Sequence, residues 1–376
     1  MQTIRPLESF LEHKYFNSVA EGAMICSVPK LKEQIIQTLN NLDQQSIDYH
    51  QLCNAAYDGL FYESNSLRSI AWRIFLGYIG LNNVTWEEEI DNSRRKYEEL
   101  KTQYMLPLQN TGIKKTKKKV LDHPLSTKND SKWNEHFKDI STSNAILKDL
   151  NRTRNEMSFF KLPNNVNPKE TNLDVLKRIL LLYAKLHPEV SYVQGLNEIL
   201  APIYYCFGND SNTYFSMGAE ADTFFCFEKL MEEIKNMYIK SLDESDVGID
   251  SILNKLRDMI RCLDNELYLR LEELKINYHF FAFQWTTLMF TQQFLMPDVL
   301  SLWDIILCNK EKIKMVNEIS TTILTCVRNK IVYRDFSTVM NVLQNIESET
   351  TFERIRYKLE DMKEKFETYY EMKRKK

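Results

Sequence analysis

The chain has 376 residues, 43% hydrophobic and 27% charged, with 49 Lys and Arg against 52 Asp and Glu for a net charge of -3. This is too apolar for a disordered chain and too evenly charged to give nucleic acid an overall electrostatic footprint. Nine glycines and nine prolines, well under half of the usual share of about 12%, exclude collagen-like chains, Gly-rich linkers and turn-dense β-sandwiches.

The length allows about two domains or one large helical one, and the expectation is all-α. The opening MQTIRPLESFLEHKYF lacks the apolar run of a secretory leader, and no long stretch is both apolar and uncharged. The chain is therefore expected to be cytoplasmic and to cross no membrane. Residues 1–50 are read as a helical flank. The clearest interruption is 105–135, a loop expected to be mobile that carries Lys114, Lys115, Lys117, Lys118 and Lys119. A second break at 161–171 ends at Thr171, which suits an N-cap. It precedes a helix over 173–186 whose Leu173, Leu176, Leu180 and Tyr183 share one face. A third break is read at 208–219. Pro297 and Asp298 open a helix in which Val299, Leu302, Trp303 and Ile306 recur at helical spacing. The end of the chain, EDMKEKFETYYEMKRKK, reads as a charged, solvated helix that frays.

The seven cysteines (Cys26, Cys53, Cys206, Cys226, Cys262, Cys308 and Cys326) are odd in number and scattered, which predicts neither a disulfide framework nor a zinc ribbon. There is no phosphate-binding G-x-x-x-x-G-K-[ST], no G-x-G-x-x-G, no H-E-x-x-H and no G-x-S-x-G, and the six histidines do not pair at ligand spacing. A self-contained enzyme, a metal site and a catalytic triad are all disfavoured.

Two short segments remain, ILKDLNRT at 146–153 and SYVQGLN at 191–197. Alone, Asp149 and Arg152 three positions apart read as a solvated ion pair, Gln194 as a surface amide, and Gly195 as a turn or a close backbone approach. Together they form I-x-x-D-x-x-R-T and Y-x-Q-G-x-N, and here the sequence resembles the TBC domain family, the GTPase-activating proteins of Rab GTPases. SLRSIAWRIFLGYIG at 66–80, with Arg68 and Trp72 in R-x-x-x-W spacing, EADTFFCFEKLM at 220–231 and FLMPDVLSLWDIIL at 294–307 agree with the family and follow in its order. HPLSTKNDSKWNEHFKD and SYVQGLNEILAPIYYCF liken the chain to a compact branch of it.

The resemblance implies a multi-helix domain of two helical subdomains over 51–340 and a GTP-bound Rab as partner; residues 341–376 lie beyond it and are read from their composition as a charged C-terminal helix or tail. The chain would then not be an enzyme on its own but an activator lending catalytic residues in trans. It would need no metal and no cofactor of its own, since GTP and Mg2+ come with the GTPase. Arg152 would be the arginine finger that stabilises charge on the phosphates, and Gln194 would hold the attacking water. Asp149 would orient the guanidinium, Thr153 would tie the first segment to the second, Tyr192 and Asn197 would fix the turn presenting Gln194, and Gly195 would bring the backbone near the nucleotide or the GTPase. The other reading is a non-catalytic helical scaffold that holds a Rab or an effector.

Three details complete the expectations. Trp72, Trp285 and Trp303 read as core, and Asp304 as structural. The family often has an arginine where this chain has Gln284, so any pairing there must differ. The five lysines at 114–119 give either a solvated loop, the plainer reading, or a weak contact with an anionic membrane, peripheral on endomembranes.

Overall fold

The structure is a computed structural model and describes residues 14–20, 29–105 and 132–375, apart from the side chains of 29 and 132–137. The principal helices are α1 (Pro29–Leu42), α2 (Tyr49–Tyr57), α3 (Asn65–Phe75), α4 (Trp86–Tyr104), α5 (Lys132–Leu150), α6 (Asn172–Leu186) and α7 (Leu196–Gly208). They continue with α8 (Ala219–Ile234), α9 (Ile249–Leu263), α10 (Asn265–Glu273), α11 (Met296–Cys308), α12 (Lys312–Cys326), α13 (Phe336–Gln344) and α14 (Phe352–Arg374). Among the described residues there is no strand, only an isolated bridge between Pro163 and Thr171. The all-α expectation holds.

Local chemistry sets the helix starts. Asp48, Ser64, Asp264, Asp335 and Thr351 each accept a bond from the first turn that follows. Thr171 does so in a full capping box with Asp174, as its position after the Asn- and Pro-rich break suggested. Proline in the first turn starts α11.

The helices fall into two groups. In the first, α7 packs on α3, α5, α6 and α8, and α8 on α4 and α6. In the second, α12 packs on α9 and α14. Helix α11 touches α3 and α7 on one side and α12 and α14 on the other, so a single contiguous apolar core runs through both groups. Trp72, Trp285 and Trp303 are buried in it, with the Trp72 and Trp303 rings 5.8 Å apart.

Buried charges pin the helices to one another. Arg68 and Trp72, one helical turn apart on α3, converge on Asp304 of α11: Arg68 Nε donates to Oδ1 at 3.0 Å and Trp72 Nε1 to the same oxygen at 2.7 Å. The R-x-x-x-W spacing is thus an inter-helix clamp, and Asp304 is structural as expected. Asp222 on α8, fully buried, accepts from Arg73, Arg94 and the Tyr78 hydroxyl. Burial alone would raise its carboxyl, but those three donors hold it below the usual carboxylate range.

Two expectations are corrected. The break at 208–219 contains a short helix, Thr213–Met217, opened by the side chain of Asn212. The charged C-terminal segment is not a wholly solvated helix. Helix α14 buries Phe352, Ile355, Leu359, Met362, Phe366 and Tyr369, a stripe at alternating three and four residue spacing that packs on α9, α11 and α12. Of the basic stretch at 105–135, residues 132–135 already belong to α5, whereas 106–131, with Lys114, Lys115, Lys117, Lys118 and Lys119, lie outside the described residues. Among the described residues, no helix is long and apolar enough to cross a membrane.

Candidate functional site

The first segment sits where α5 unravels. Past Leu150 the helical ladder gives way to tight turns, Arg152 N to Asp149 O at 3.1 Å and Thr153 N to Leu150 O at 3.1 Å, and Arg154 takes a left-handed φ of 45°. That reversal throws Arg152 outward, its side chain 53% exposed, while Thr153 and Arg154 turn inward and are buried.

The second segment sits where α7 begins. After α6 ends, Ser191 adopts φ 56° with its N–H bonded to His187 O at 2.7 Å, and Gly195 follows at φ 108° as the N-cap of α7. The left-handed backbone favours glycine there, and a Cβ at Gly195 would lie 2.8 Å from Leu288 Cδ2, so the end of the Leu288 side chain would have to shift to admit one. Gln194 is exposed on this turn.

A closed ring of hydrogen bonds joins the two turns. Asp149 Oδ1 accepts from Arg152 Nη2 at 2.7 Å, and Oδ2 accepts from the Tyr192 hydroxyl at 2.7 Å. That hydroxyl also lies 3.3 Å from Asn197 Oδ1, which accepts from Gly195 N at 3.2 Å. Asn197 Nδ2 donates to Thr153 Oγ1 at 2.8 Å, and Thr153 Oγ1 donates to Asp149 O at 2.9 Å, closing the circuit. Burial and the bond to Asp149 push the Tyr192 hydroxyl well up, so it remains a donor throughout the neutral range. Asp149, Arg152, Thr153, Tyr192, Gly195 and Asn197 are therefore in one network, with Gln194 held between two of its members in sequence. Arg152 uses one of its five donors on Asp149, and its exposed fork leaves the others facing solvent, suited to a multiply charged anion.

Beneath the ring lies a floor that sequence reasoning did not pick out. Arg154 Nη1 donates to Phe294 O at 3.2 Å and Nη2 to Thr291 O, and its Nε is 3.7 Å from Glu198 Oε2. Burial raises the Glu198 carboxyl against the pull of Arg154 and a bond from Gln292. Gln284 Nε2 in turn donates to Gln292 Oε1, so the position where the family often has arginine is met here by a neutral amide pair. A cavity of 890 Å³ lies away from both motifs, lined by residues of α9, α12 and α14 including Lys312 and Asn317. Among the described residues no group of three or more His, Cys, Asp or Glu is arranged to hold a metal.

A body of helices without a strand among the described residues, whose two motif turns are bonded into one ring with the arginine and the glutamine exposed, has the build of a TBC-type domain. The sequence model described as the Rab-GTPase-TBC domain matches residues 65–332, and the chain belongs to that family. It is 31% identical to TBC1 domain family member 13 of Homo sapiens over 84% of this chain and 94% of that protein. The GTPase-activating protein GYP1 of Saccharomyces cerevisiae is 25% identical over 72% of this chain and 39% of that protein. In three dimensions the fold is similar to the Ypt/Rab-GAP domain of Gyp1p, with a TM-score of 0.71, 21% identity, and coverage of 90% of this chain and 99% of that one.

Proposed function

We propose that the chain accelerates GTP hydrolysis on a Rab-type small GTPase, with Arg152 as an arginine finger and Gln194 as the amide that holds the attacking water. The observation that carries this reading is the ring through Asp149, Tyr192, Asn197 and Thr153, which fastens two segments some forty residues apart and leaves the guanidinium and the carboxamide outermost. Hydrolysis spreads negative charge over the oxygens of the transferred phosphoryl group, and a planar cation delivered from a second protein lowers that barrier. The Gln194 amide can accept from the water and donate to a neighbouring oxygen, which is what positioning a nucleophile requires. GTP and Mg2+ belong to the GTPase. The activator would meet its partner from the cytoplasmic side, peripheral to endomembranes, and supplies preorganised groups without being changed itself.

The test is single-turnover phosphate release from a panel of GTP-loaded Rabs. Arg152→Ala is expected to cut the stimulated rate by about 10³ or more. Arg152→Lys fails similarly, because an ammonium does not reproduce the fork, and Gln194→Ala also falls steeply. If both alanine variants keep full activity on a Rab that the parent accelerates, this assignment of roles is wrong. Rab binding by a parent that gives no acceleration would establish the scaffold reading instead.

A further inference from the structure

We propose that Arg154, paired with Glu198, is a positioning residue that locks the two motif turns onto a single loop from the second helical group, residues 288–295. The inference rests on the activator reading, since the turns it holds are those of Arg152 and Gln194.

Arg154 follows Arg152 by two residues, yet its side chain is 8% exposed where that of Arg152 is 53% exposed. Besides a 3.7 Å ion pair with Glu156 in its own turn, the Arg154 guanidinium makes two hydrogen bonds and one ion pair to two other parts of the chain. Two are carbonyl oxygens of the 288–295 loop, those of Thr291 and Phe294. The third is Glu198, in the first turn of α7, three residues beyond Gly195 and 3.7 Å from Nε. The same loop meets the glutamine turn independently, through Leu288 packed where a Gly195 Cβ would be. The loop is itself fixed: Met289 and Phe290 hold left-handed backbone at φ 47° and 65°, and Trp303 Nε1 donates to Met289 O at 3.0 Å.

Both turns therefore share one rigid support, and Arg154 is the element that reaches all three pieces. A guanidinium suits this task, because the contacts to two carbonyls and a carboxylate fall on three separate nitrogens, whereas an ammonium's donors all sit on one. Displacing a catalytic group by about 1 Å costs on the order of 10²-fold in rate, so a clamp beneath both turns would act on kcat without touching the GTPase.

Removing Arg154 alone leaves the Glu198 carboxylate buried and unpaired, so the informative variant is Arg154→Met with Glu198→Gln, which removes both charges at similar volume. Its thermal midpoint should fall by only a few degrees, because the Phe294 and Thr291 carbonyls lose a donor while no buried charge is left unpaired. Amide hydrogen exchange should quicken about tenfold at 151–157 and 191–195, with the core helices still protected. On a Rab that the parent activates, kcat should fall by about 10- to 100-fold with KM within about threefold. Arg154→Lys should recover only part of the loss. The proposal is overturned if exchange in the two turns matches the parent, if kcat is kept while the turns loosen, or if KM alone rises. If the parent accelerates no Rab, it is the activator reading that fails, and the exchange measurement by itself decides whether the clamp exists.

Discussion

Asp149→Asn isolates what the ring contributes, because it keeps the shape of the side chain and removes its charge. In the parent, Oδ1 takes a bond from Arg152 and Oδ2 one from Tyr192, each at 2.7 Å, with the Asp149 side chain 8% exposed. A carboxamide offers one acceptor and one NH2: if its oxygen stays on Tyr192 it turns a donor toward the donor-only guanidinium, and if it turns round Tyr192 must accept and Arg152 keeps only a neutral bond. The Tyr192 bond becomes neutral and the half-exposed Arg152 pair is lost, for a combined cost of about 1 to 2 kcal/mol of stability. The kinetic cost is separate. A released arginine must be ordered again on docking, at a rotamer entropy cost of up to about 2 kcal/mol, and each 1.36 kcal/mol is about tenfold in rate. The expected result is a melting midpoint lower by a few degrees and a stimulated kcat lower by about 10- to 30-fold at nearly constant KM. Tyr192→Phe removes one bond and leaves the ion pair, so it should be milder on both counts. Thermal denaturation with single-turnover phosphate release over a range of activator concentrations separates the two costs. If Asp149→Asn loses stability but keeps kcat within twofold, the carboxylate merely ends the helix and does not orient Arg152.

Two further expectations follow from the same structure. Gly195→Ala should destabilise by about 2 to 4 kcal/mol, from positive φ and from overlap with Leu288 Cδ2; a cost under about 1 kcal/mol by urea denaturation would show that the turn relaxes freely. Asp222→Asn should cost about 3 to 5 kcal/mol, because it leaves Arg73 and Arg94 without their buried counter-charge. Its pH dependence has a definite sign. The folded Asp222 carboxyl titrates below its unfolded value, so its contribution is complete above about pH 4 and is lost as pH falls through the folded value. Glu220, whose own tendency to rise on burial is outweighed by bonds from Arg178, adds the same sign. Melting midpoints taken across acidic pH should fall for the parent and fall less steeply for Asp222→Asn; parallel curves would contradict the assignment.

The helices were legible wherever the apolar residues carry the period. Val299, Leu302, Trp303 and Ile306 read as one face from spacing alone, and all four are buried. The C-terminal helix shows how composition can hide the same signal. Phe352, Ile355, Leu359, Met362, Phe366 and Tyr369 keep helical spacing throughout, but the charged residues between them suggest a solvated segment, although those charges only describe the outer face. The Thr213–Met217 helix was missed for a different reason: one turn amid Gly, Asn and Ser has too few residues to show a period, and what starts it is the Asn212 cap.

Pairing is the part that one-dimensional pattern cannot supply. An aspartate three residues before an arginine is an ordinary surface pair until the Tyr192 hydroxyl, 43 residues on, takes the second carboxylate oxygen. The resemblance to a family supplied that juxtaposition, but it named only the residues of the two motifs. Arg154 and Glu198 each stand beside a motif and drew no reading from sequence, because a buried arginine is recognisable only from its partners, and those at Thr291 and Phe294 are 137 and 140 residues away. The exposed residues proposed to act could be named from the chain because the proposed chemistry restricts their type. The residues beneath them answer to packing between two helical groups, and many side chains would serve there in a different surrounding. That contrast carries a consequence for the proposed activity: the exposed groups proposed to act on another molecule are held by bonds within the first group, while a loop of the second supports both turns. A change in the seating of α11, which carries Trp303 against that loop, would therefore reach both turns together.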